Sequence, residues 1–238
     1  MANYIIGTCG HIDHGKTALI KALNGYEGDS TKEEQERGIT IDLSFSNIQK
    51  GQQNVAFIDV PGHEKLVKNM IAGAFSFDCV MIVVSAQEGI KPQTVEHLEI
   101  LNLLGVKNAV LVITKKDLVT EDELTKKIDE IKEFVNSFDF EILFSTAVSI
   151  YDKKSIETLK DKLFTLNAGT KVEENFFRYY VDRVFSSKGA GTIVTGTVLG
   201  KPIKIDEKVF ICELKKEAKI KNLQVHNQNV MDAGISNR

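Results

Sequence analysis

Residues 10–17 contain the side chains and glycines that proteins use to bind the phosphates of a nucleotide. They read Gly-His-Ile-Asp-His-Gly-Lys-Thr, which fits the pattern G-x-x-x-x-G-K-[ST]. The glycines allow backbone N–H groups to curl around the phosphates. Lys16 would reach the β- and γ-phosphates, and the Thr17 hydroxyl would bind Mg²⁺. The predicted nucleotide-binding residues here are Gly10, His11, Ile12, Asp13, His14, Gly15, Lys16 and Thr17.

His11 and His14 could also be interpreted as a metal-binding pair, because they stand three residues apart in one loop. No cysteine accompanies them as a further ligand, and the loop already has an assignment to phosphate. The phosphate interpretation is therefore preferred.

Two later segments supply groups for a metal ion and for the third phosphate of a triphosphate. Asp59 ends an apolar run and would bind Mg²⁺ through water, while the N–H of Gly62 would meet the γ-phosphate. Thr40 would complete the Mg²⁺ ligands when the triphosphate is bound. The predicted metal-binding residues are therefore Thr17, Thr40 and Asp59.

A Thr-Lys-Lys-Asp sequence that begins at Thr114 predicts which base is bound. The carboxylate of Asp117 can accept hydrogen bonds from the N1–H and the exocyclic amine of guanine, a donor pair that adenine lacks. Thr114, Lys115 and Asp117 therefore predict GTP rather than ATP. Thr146 and Ala147 follow the last apolar run, where a backbone N–H could meet guanine O6, although a simple strand end explains that stretch equally well.

The elements between these segments must bring them together. Helical periodicity alternates with short apolar runs, which suit parallel strands that are buried on both faces. Thr120 and Glu123 form a capping box at the start of one helix. The pattern predicts an α/β fold, a P-loop GTPase domain with a mixed, mostly parallel sheet, over residues 1–170. The predicted strands are residues 4–8, 55–59, 79–85, 109–114 and 142–145.

Beyond residue 175 the sequence changes to β-branched segments that are separated by glycines, which is typical of all-β domains. We expect residues 175–238 to form a second domain, an incomplete β-barrel, because the segments are fewer than a small barrel needs. Residues 171–238 carry 12 Lys and Arg against 8 Asp and Glu, which fits contact with RNA or a solvated surface with scattered lysines. The predicted strands are residues 177–185, 192–199, 208–212 and 219–226.

The composition argues against secreted and membrane proteins. Of 238 residues, 42% are hydrophobic and 26% are charged, as in ordinary globular proteins. No apolar run is long enough to span a bilayer, and the amino terminus lacks a basic leader with a cleavage site. The cysteines follow no disulfide or metal spacing. We expect no membrane partner and a cytoplasmic location.

The segments around Lys16, Thr40 and Asp59 resemble the versions that translational GTPases use. Within that group, the chain is most similar to the selenocysteine-specific elongation factors. Thr114 stands where many GTPases have Asn, and threonine is frequent in this family. The similar features are the Asp-Leu-Ser-Phe sequence at residues 42–45, the short segment between Lys16 and Arg37, and residues 182–197 and 226–228.

This resemblance implies a GTP hydrolase that uses GTP, GDP and Mg²⁺ and delivers selenocysteyl-tRNA to the ribosome at recoded UGA codons. It implies that His63 is the catalytic residue that positions the attacking water. It also implies that Asp182, Arg183 and Arg238 line the aminoacyl-tRNA pocket, with surface charge pairing as the alternative for the two arginines. The family reads an mRNA hairpin through C-terminal domains that we expect to be absent from this chain.

Other interpretations stay open. The chain could be an elongation factor Tu-like or initiation-factor-2-γ-like GTPase, or the GTPase of sulfate activation. It could also be a truncated GTP-dependent binding module. A phosphotransfer kinase is disfavoured because Asp117 specifies guanine and no acceptor site or lid can be located.

Overall fold

The computed structural model describes residues 2–25, 43–51, 53–60, 67–74, 76–166, 175–187, 189, 191–225 and 228–237. The chain forms two compact units, Met1–Ala168 and Gly169–Arg238. Across these described ranges, no helix has the length and apolar character that crossing a membrane requires.

A six-stranded sheet forms the centre of the first unit, with the order β2-β3-β1-β4-β5-β6. Its neighbouring strands are parallel except for β2 and β3, which pair in antiparallel fashion. The predicted mixed, mostly parallel sheet is therefore confirmed. Its strands are β1 (Ala2–Cys9), β2 (Ser44–Lys50), β3 (Gln53–Asp59), β4 (Cys79–Ser85), β5 (Asn108–Thr114) and β6 (Glu141–Ala147).

Helices cover both faces of this sheet, which explains why the central strands are apolar along their whole length. Every residue of β4 is buried, and its residues alternate between two core clusters. One cluster contains apolar residues of α1 and α5, and the other contains those of α3 and α4. The helices are α1 (Lys16–Asn24), α2 (Val67–Ala74), α3 (Pro92–Leu103), α4 (Glu121–Val135) and α5 (Lys153–Thr165).

The starts of these helices follow local capping rules. α3 begins with Pro92, whose fixed φ and missing N–H suit the first helical position. The predicted capping box of α4 is present: Thr120 N–H donates to Glu123 Oε2 at 2.9 Å, and Glu123 N–H donates to Thr120 Oγ1 at 3.4 Å. Asp152 caps α5 by accepting a hydrogen bond from Ser155 N–H at 3.3 Å.

The second unit is all-β in its described residues, as the sequence predicted. Antiparallel pairs join β7 to β8, β9 to β14, β10 to β11 and β12 to β13. The last predicted strand, residues 219–226, is divided in the structure: Lys219 ends one strand, and Leu223–Val225 form the next. Ile220 N–H donates to Glu207 O at 3.0 Å, which extends the pairing of the strand that ends at Lys219. The strands are β7 (Phe177–Ser187), β8 (Gly191–Gly200), β9 (Ile203–Lys204), β10 (Lys208–Ile211), β11 (Lys216–Lys219), β12 (Leu223–Val225), β13 (Gln228–Val230) and β14 (Asp232–Ala233).

Candidate functional site

The carboxyl ends of the parallel strands β1, β3, β4, β5 and β6 lie at one edge of the sheet. β1 pairs with β3 on one side and with β4 on the other, which makes this edge a topological switch point where α/β proteins bind ligands. The structure brings residues 10–17, Asp59, residues 114–117 and residues 146–147 to this edge.

The loop between β1 and α1 has a backbone that few sequences could adopt. Gly10, Asp13 and Gly15 have positive φ angles of 136°, 61° and 86°. A Cβ atom on Gly10 would lie 2.2 Å from the carbonyl oxygen of Val83, so only glycine fits there. In proteins, loops with such alternating backbone conformations form concave anion sites next to the amino end of a helix.

Lys16 lies inside this loop, and only 7% of its surface is exposed. Its Nζ donates to the carbonyl oxygens of Gly10 and His11, both at 2.9 Å. Burial lowers the pKa of this ammonium, and the nearby Asp59 opposes that shift. Because both carbonyl acceptors are neutral, a phosphate oxygen would be a stronger partner for the same ammonium. The loop therefore fits a phosphate group.

Thr17, in the first turn of α1, and Asp59, at the end of β3, place two side-chain oxygen atoms next to each other. Thr17 Oγ1 donates to Asp59 Oδ2 at 2.8 Å, and Asp59 is only 3% exposed. Hydroxyl and carboxylate oxygens of this kind, together with phosphate oxygens and water, are what Mg²⁺ prefers. The residues present therefore fit Mg²⁺.

Thr8 orients the carboxylate of Asp59, and the sequence analysis did not identify it. Its Oγ1 donates to Asp59 Oδ1 at 2.6 Å and accepts from Val60 N–H at 3.2 Å. Partners of this kind hold the ligand of a metal in position. A threonine close to the end of the mostly apolar strand β1 was the signal that could have revealed it.

The predicted base-binding segment is tied directly to the phosphate loop. Thr114 is 5% exposed, and its Oγ1 donates to the carbonyl oxygen of His14 at 2.7 Å. Threonine thus makes a contact between the two loops at the position where many GTPases have Asn. The following residues form a short 3₁₀ turn that leaves Asp117 exposed. Thr146 and Ala147 lie beside this segment, because β6 pairs with β5 up to the contact of Ala147 with Ile113.

Two residues of α3 hold the phosphate loop, and neither was identified from the sequence. Ile12 N–H donates to Gln93 Oε1 at 3.0 Å, and Gly10 N–H donates to His97 Nδ1 at 3.3 Å. Gln93 and His97 are four residues apart and therefore share one face of the helix. This Gln-x-x-x-His spacing in a helix that opens with Pro92 was the available signal.

His97 must be neutral to hold the loop, because Nδ1 accepts a hydrogen bond only when it carries no proton. The side chain is fully buried, and this burial lowers its pKa to about 4. His14 is also fully buried, and burial lowers its pKa to about 4 as well. Its ring packs edge-to-face against His11 with the centroids 5.2 Å apart. At neutral pH both histidines are therefore uncharged, with His14 inside the loop of residues 10–17 and His97 beside it.

We predict that the nucleotide-free protein loses stability in acid, and that His97 causes part of the loss. An unfolded His97 binds a proton below its ordinary pKa of 6.5, whereas the folded one does so only near 4. The unfolded state therefore binds more protons in this window, and the free energy of unfolding falls as the pH falls. Between pH 7.5 and pH 5, the protonation of His97 lowers the free energy of unfolding by about 2 kcal/mol.

Urea unfolding at both pH values tests this for the wild type and for His97→Asn, whose side-chain oxygen can still accept from Gly10 N–H. The variant should lose less stability between the two pH values. An equal loss in both proteins would show that His97 does not titrate as described.

Two of the predicted tRNA-pocket residues lie on β7 of the second unit. Asp182 Oδ1 accepts from Thr195 Oγ1 at 2.6 Å, and the pairing of β7 with β8 shifts register between Val181 and Arg183. Asp182 and Arg183 are both half-buried. The remaining predicted site residues, Thr40, Gly62, His63 and Arg238, lie outside the described residues.

Residues 2–168 match the family model described as the elongation factor Tu GTP binding domain. The chain is also 43% identical over 225 residues to a selenocysteine-specific elongation factor of Desulfomicrobium baculatum. That alignment covers 93% of this chain and 36% of the relative, so the chain spans little more than a third of the relative's length.

Two solved structures resemble this fold. The crystal structure of a bacterial selenocysteine-specific elongation factor, EF-Sec, has a TM-score of 0.91 and 33% identity, covering 100% of this chain and 41% of the other. Translation elongation factor SelB from Methanococcus maripaludis, in complex with the GTP analogue GppNHp, has a TM-score of 0.85 and 29% identity. It covers 100% of this chain and 50% of the other. The predicted resemblance to this group of factors is confirmed.

Proposed function

Since the chain belongs to the family of the elongation factor Tu GTP-binding domain, we propose that it binds GTP and GDP with Mg²⁺ and hydrolyses GTP. The observation that carries this proposal is the buried ammonium of Lys16 inside a loop of backbone amides. Burying a charge is costly unless a partner compensates it. A nucleotide phosphate is the ligand that satisfies both the ammonium and the amides.

Three side chains would bind the phosphates and the metal ion: Lys16, Thr17 and Asp59. Lys16 would exchange its two carbonyl contacts for phosphate oxygens, and the N–H groups of the loop would bind the remaining ones. Thr17 and Asp59 would hold the metal, directly through the hydroxyl and through water at the carboxylate. Mg²⁺, when bound, supplies positive charge that stabilises the transferring phosphoryl group.

The base end selects guanine through Asp117, whose carboxylate would accept from the N1–H and the exocyclic amine. The backbone N–H of Ala147 or its neighbour Thr146 would donate to O6. Lys115 has a positive φ of 56° and directly precedes the 3₁₀ turn that contains Asp117. Thr114 would keep this end at a fixed distance from the phosphates, because it is bonded to the loop at His14.

Hydrolysis needs a group that positions water against the γ-phosphate, and we assign this role to His63 on its motif alone. Thr40 and Gly62 would complete the metal site and sense the γ-phosphate. These groups come from segments that change with the nucleotide in GTPase switches, so we expect slow hydrolysis that the ribosome stimulates.

We further propose that the protein delivers selenocysteyl-tRNA to the ribosome at recoded UGA codons in the cytoplasm. The 43% identity to a selenocysteine-specific factor supports this choice over the other translational GTPases. Asp182, Arg183 and Arg238 would line the aminoacyl pocket. A selenol is acidic enough to be a selenolate at neutral pH, so a cationic pocket suits it. Further C-terminal domains, rather than these residues, would bind the mRNA hairpin.

A binding assay with labelled selenocysteyl-tRNA tests this proposal in the presence of GTP or GDP. We expect clearly tighter binding with GTP, and preference for selenocysteyl-tRNA over ordinary aminoacyl-tRNAs in competition. Equal binding of all aminoacyl-tRNAs would favour an elongation factor Tu-like role. Equal binding with GTP and GDP would favour a GTP-dependent module that does not deliver tRNA.

A further inference from the structure

The two lysines of the base-binding segment reach toward different neighbouring loops. Lys115 Nζ lies 3.5 Å from Glu88 Oε1, in the loop that follows β4. Lys116 Nζ lies 2.7 Å from Asp152 Oδ2, in the loop that follows β6. The second contact is the shorter one, and it connects two segments that we propose to contact the same guanine ring.

A backbone hydrogen bond reinforces the contact between these segments. Lys116 N–H donates to the carbonyl oxygen of Val148 at 3.3 Å. Val148 N–H in turn donates to Ile113 O at 2.8 Å, which continues the pairing of β6 with β5. Lys116 is therefore joined to the β6 loop through both its main chain and its side chain.

Asp152 is itself well anchored, so the ion pair has one rigid partner. Its Oδ1 accepts from Ser155 N–H at 3.3 Å, and its own N–H donates to Ser149 O at 3.0 Å. Ser155 Oγ also donates to Ser149 O at 3.2 Å. Hydrogen bonds among Ser149, Asp152 and Ser155 therefore hold the turn that precedes α5. The hydrogen bond from Lys116 is the largest cause that lowers the pKa of the Asp152 carboxyl, which favours its charged form.

We propose that the Lys116–Asp152 ion pair is a positioning contact that sets selectivity for guanine by holding Asp117 in register with the β6 loop. This inference rests on the proposed nucleotide-binding function. Asp117 follows Lys116 directly, and Ala147 directly precedes Val148. The ion pair thus fixes the distance between two groups that would bind guanine. One is the Asp117 carboxylate, which would accept from N1–H and the exocyclic amine. The other is the backbone N–H at the end of β6, which would donate to O6.

Ordinary surface ion pairs contribute little to stability, but this pair is partly buried and is accompanied by the hydrogen bond from Lys116 N–H to Val148 O. The side chains of Lys116 and Asp152 are 29% and 42% exposed, whereas those of Lys107 and Asp139 are 62% and 77% exposed. Lys107 and Asp139 also form an ion pair, but the latter precedes β6 at the opposite edge of the sheet. That pair is therefore a matched control for the loss of a lysine contact.

The test compares the affinities of GTP and inosine triphosphate for Lys116→Ala, Asp152→Asn and the double variant. Inosine lacks the exocyclic amine but keeps N1–H and O6, so the ratio of the two affinities reports the second hydrogen bond of Asp117. Asn at position 152 can still cap α5. We expect each single variant to lower the ratio about 5-fold, which equals about 1 kcal/mol.

The double variant should lower the ratio no further than the single variants do, because each removes the same interaction. Lys107→Ala should leave the ratio unchanged. A uniform loss of affinity for both nucleotides, or an unchanged ratio in variants that fold, would overturn the positioning role while leaving nucleotide binding intact. Failure of the wild-type chain to bind GTP at all would overturn the proposed function, and this inference with it.

Discussion

The Lys16→Met variant is expected to bind GTP about 10²–10⁴-fold more weakly than the wild type. The reason is the loss of two charge-assisted hydrogen bonds to phosphate, each contributing about 1.5–3 kcal/mol. The buried position of Lys16 strengthens the effect, because a neutral water molecule that entered the space would not supply the positive charge of the ammonium. Titration calorimetry with GTP and Mg²⁺ measures the change directly.

The same variant should be at least as stable as the wild type without nucleotide, because methionine removes a buried charge whose present acceptors are neutral carbonyls. Lys21→Met, an exposed position on the same helix, is the matched control and should keep its GTP affinity. Wild-type affinity in a folded Lys16→Met protein would contradict the assignment of residues 10–17 to phosphate.

The Asp117→Asn variant is expected to lose about 10²–10³-fold in GTP affinity and to gain affinity for xanthosine triphosphate. Xanthine has a carbonyl oxygen where guanine has the exocyclic amine. The asparagine amide can donate to that oxygen while its own oxygen still accepts from N1–H. Exposure of Asp117 in the 3₁₀ turn leaves it accessible to the base.

Competition of GTP and xanthosine triphosphate for a fluorescent guanine nucleotide measures this exchange of preference. Asp122→Asn, which changes an exposed carboxylate in the first turn of α4, is the control and should retain the wild-type preference. If Asp117→Asn still preferred GTP by the wild-type margin, another residue would have to select the base.

The α/β fold could be predicted because its central strands are buried on both faces and so appear as uninterrupted apolar runs. β2 could not be predicted in the same way. It lies at the sheet edge, and Ile48 is the only buried residue among its seven residues, so its sequence carries little alternation. In the second unit, β9 and β14 have two residues each, which is too short for any periodic pattern.

The positions of Lys16, Asp59 and Thr114 at one edge of the sheet could be expected, because each belongs to a motif that follows a parallel strand. The supporting contacts could not. Gly10 and His97 are 87 residues apart in the chain, and their hydrogen bond exists only because α3 packs beside β1. Contacts of this kind depend on tertiary packing rather than on local order of residues, as does the ion pair of Lys116 with Asp152.

The most direct test of the central claim is a calorimetric comparison of GTP, GDP and ATP binding to the purified chain in the presence of Mg²⁺. The structure predicts that both guanine nucleotides bind and that ATP binds at least about 10³-fold more weakly, since a site built around hydrogen bonds rejects a base that cannot form them. Equal affinity for ATP and GTP, or no binding of either, would contradict the account.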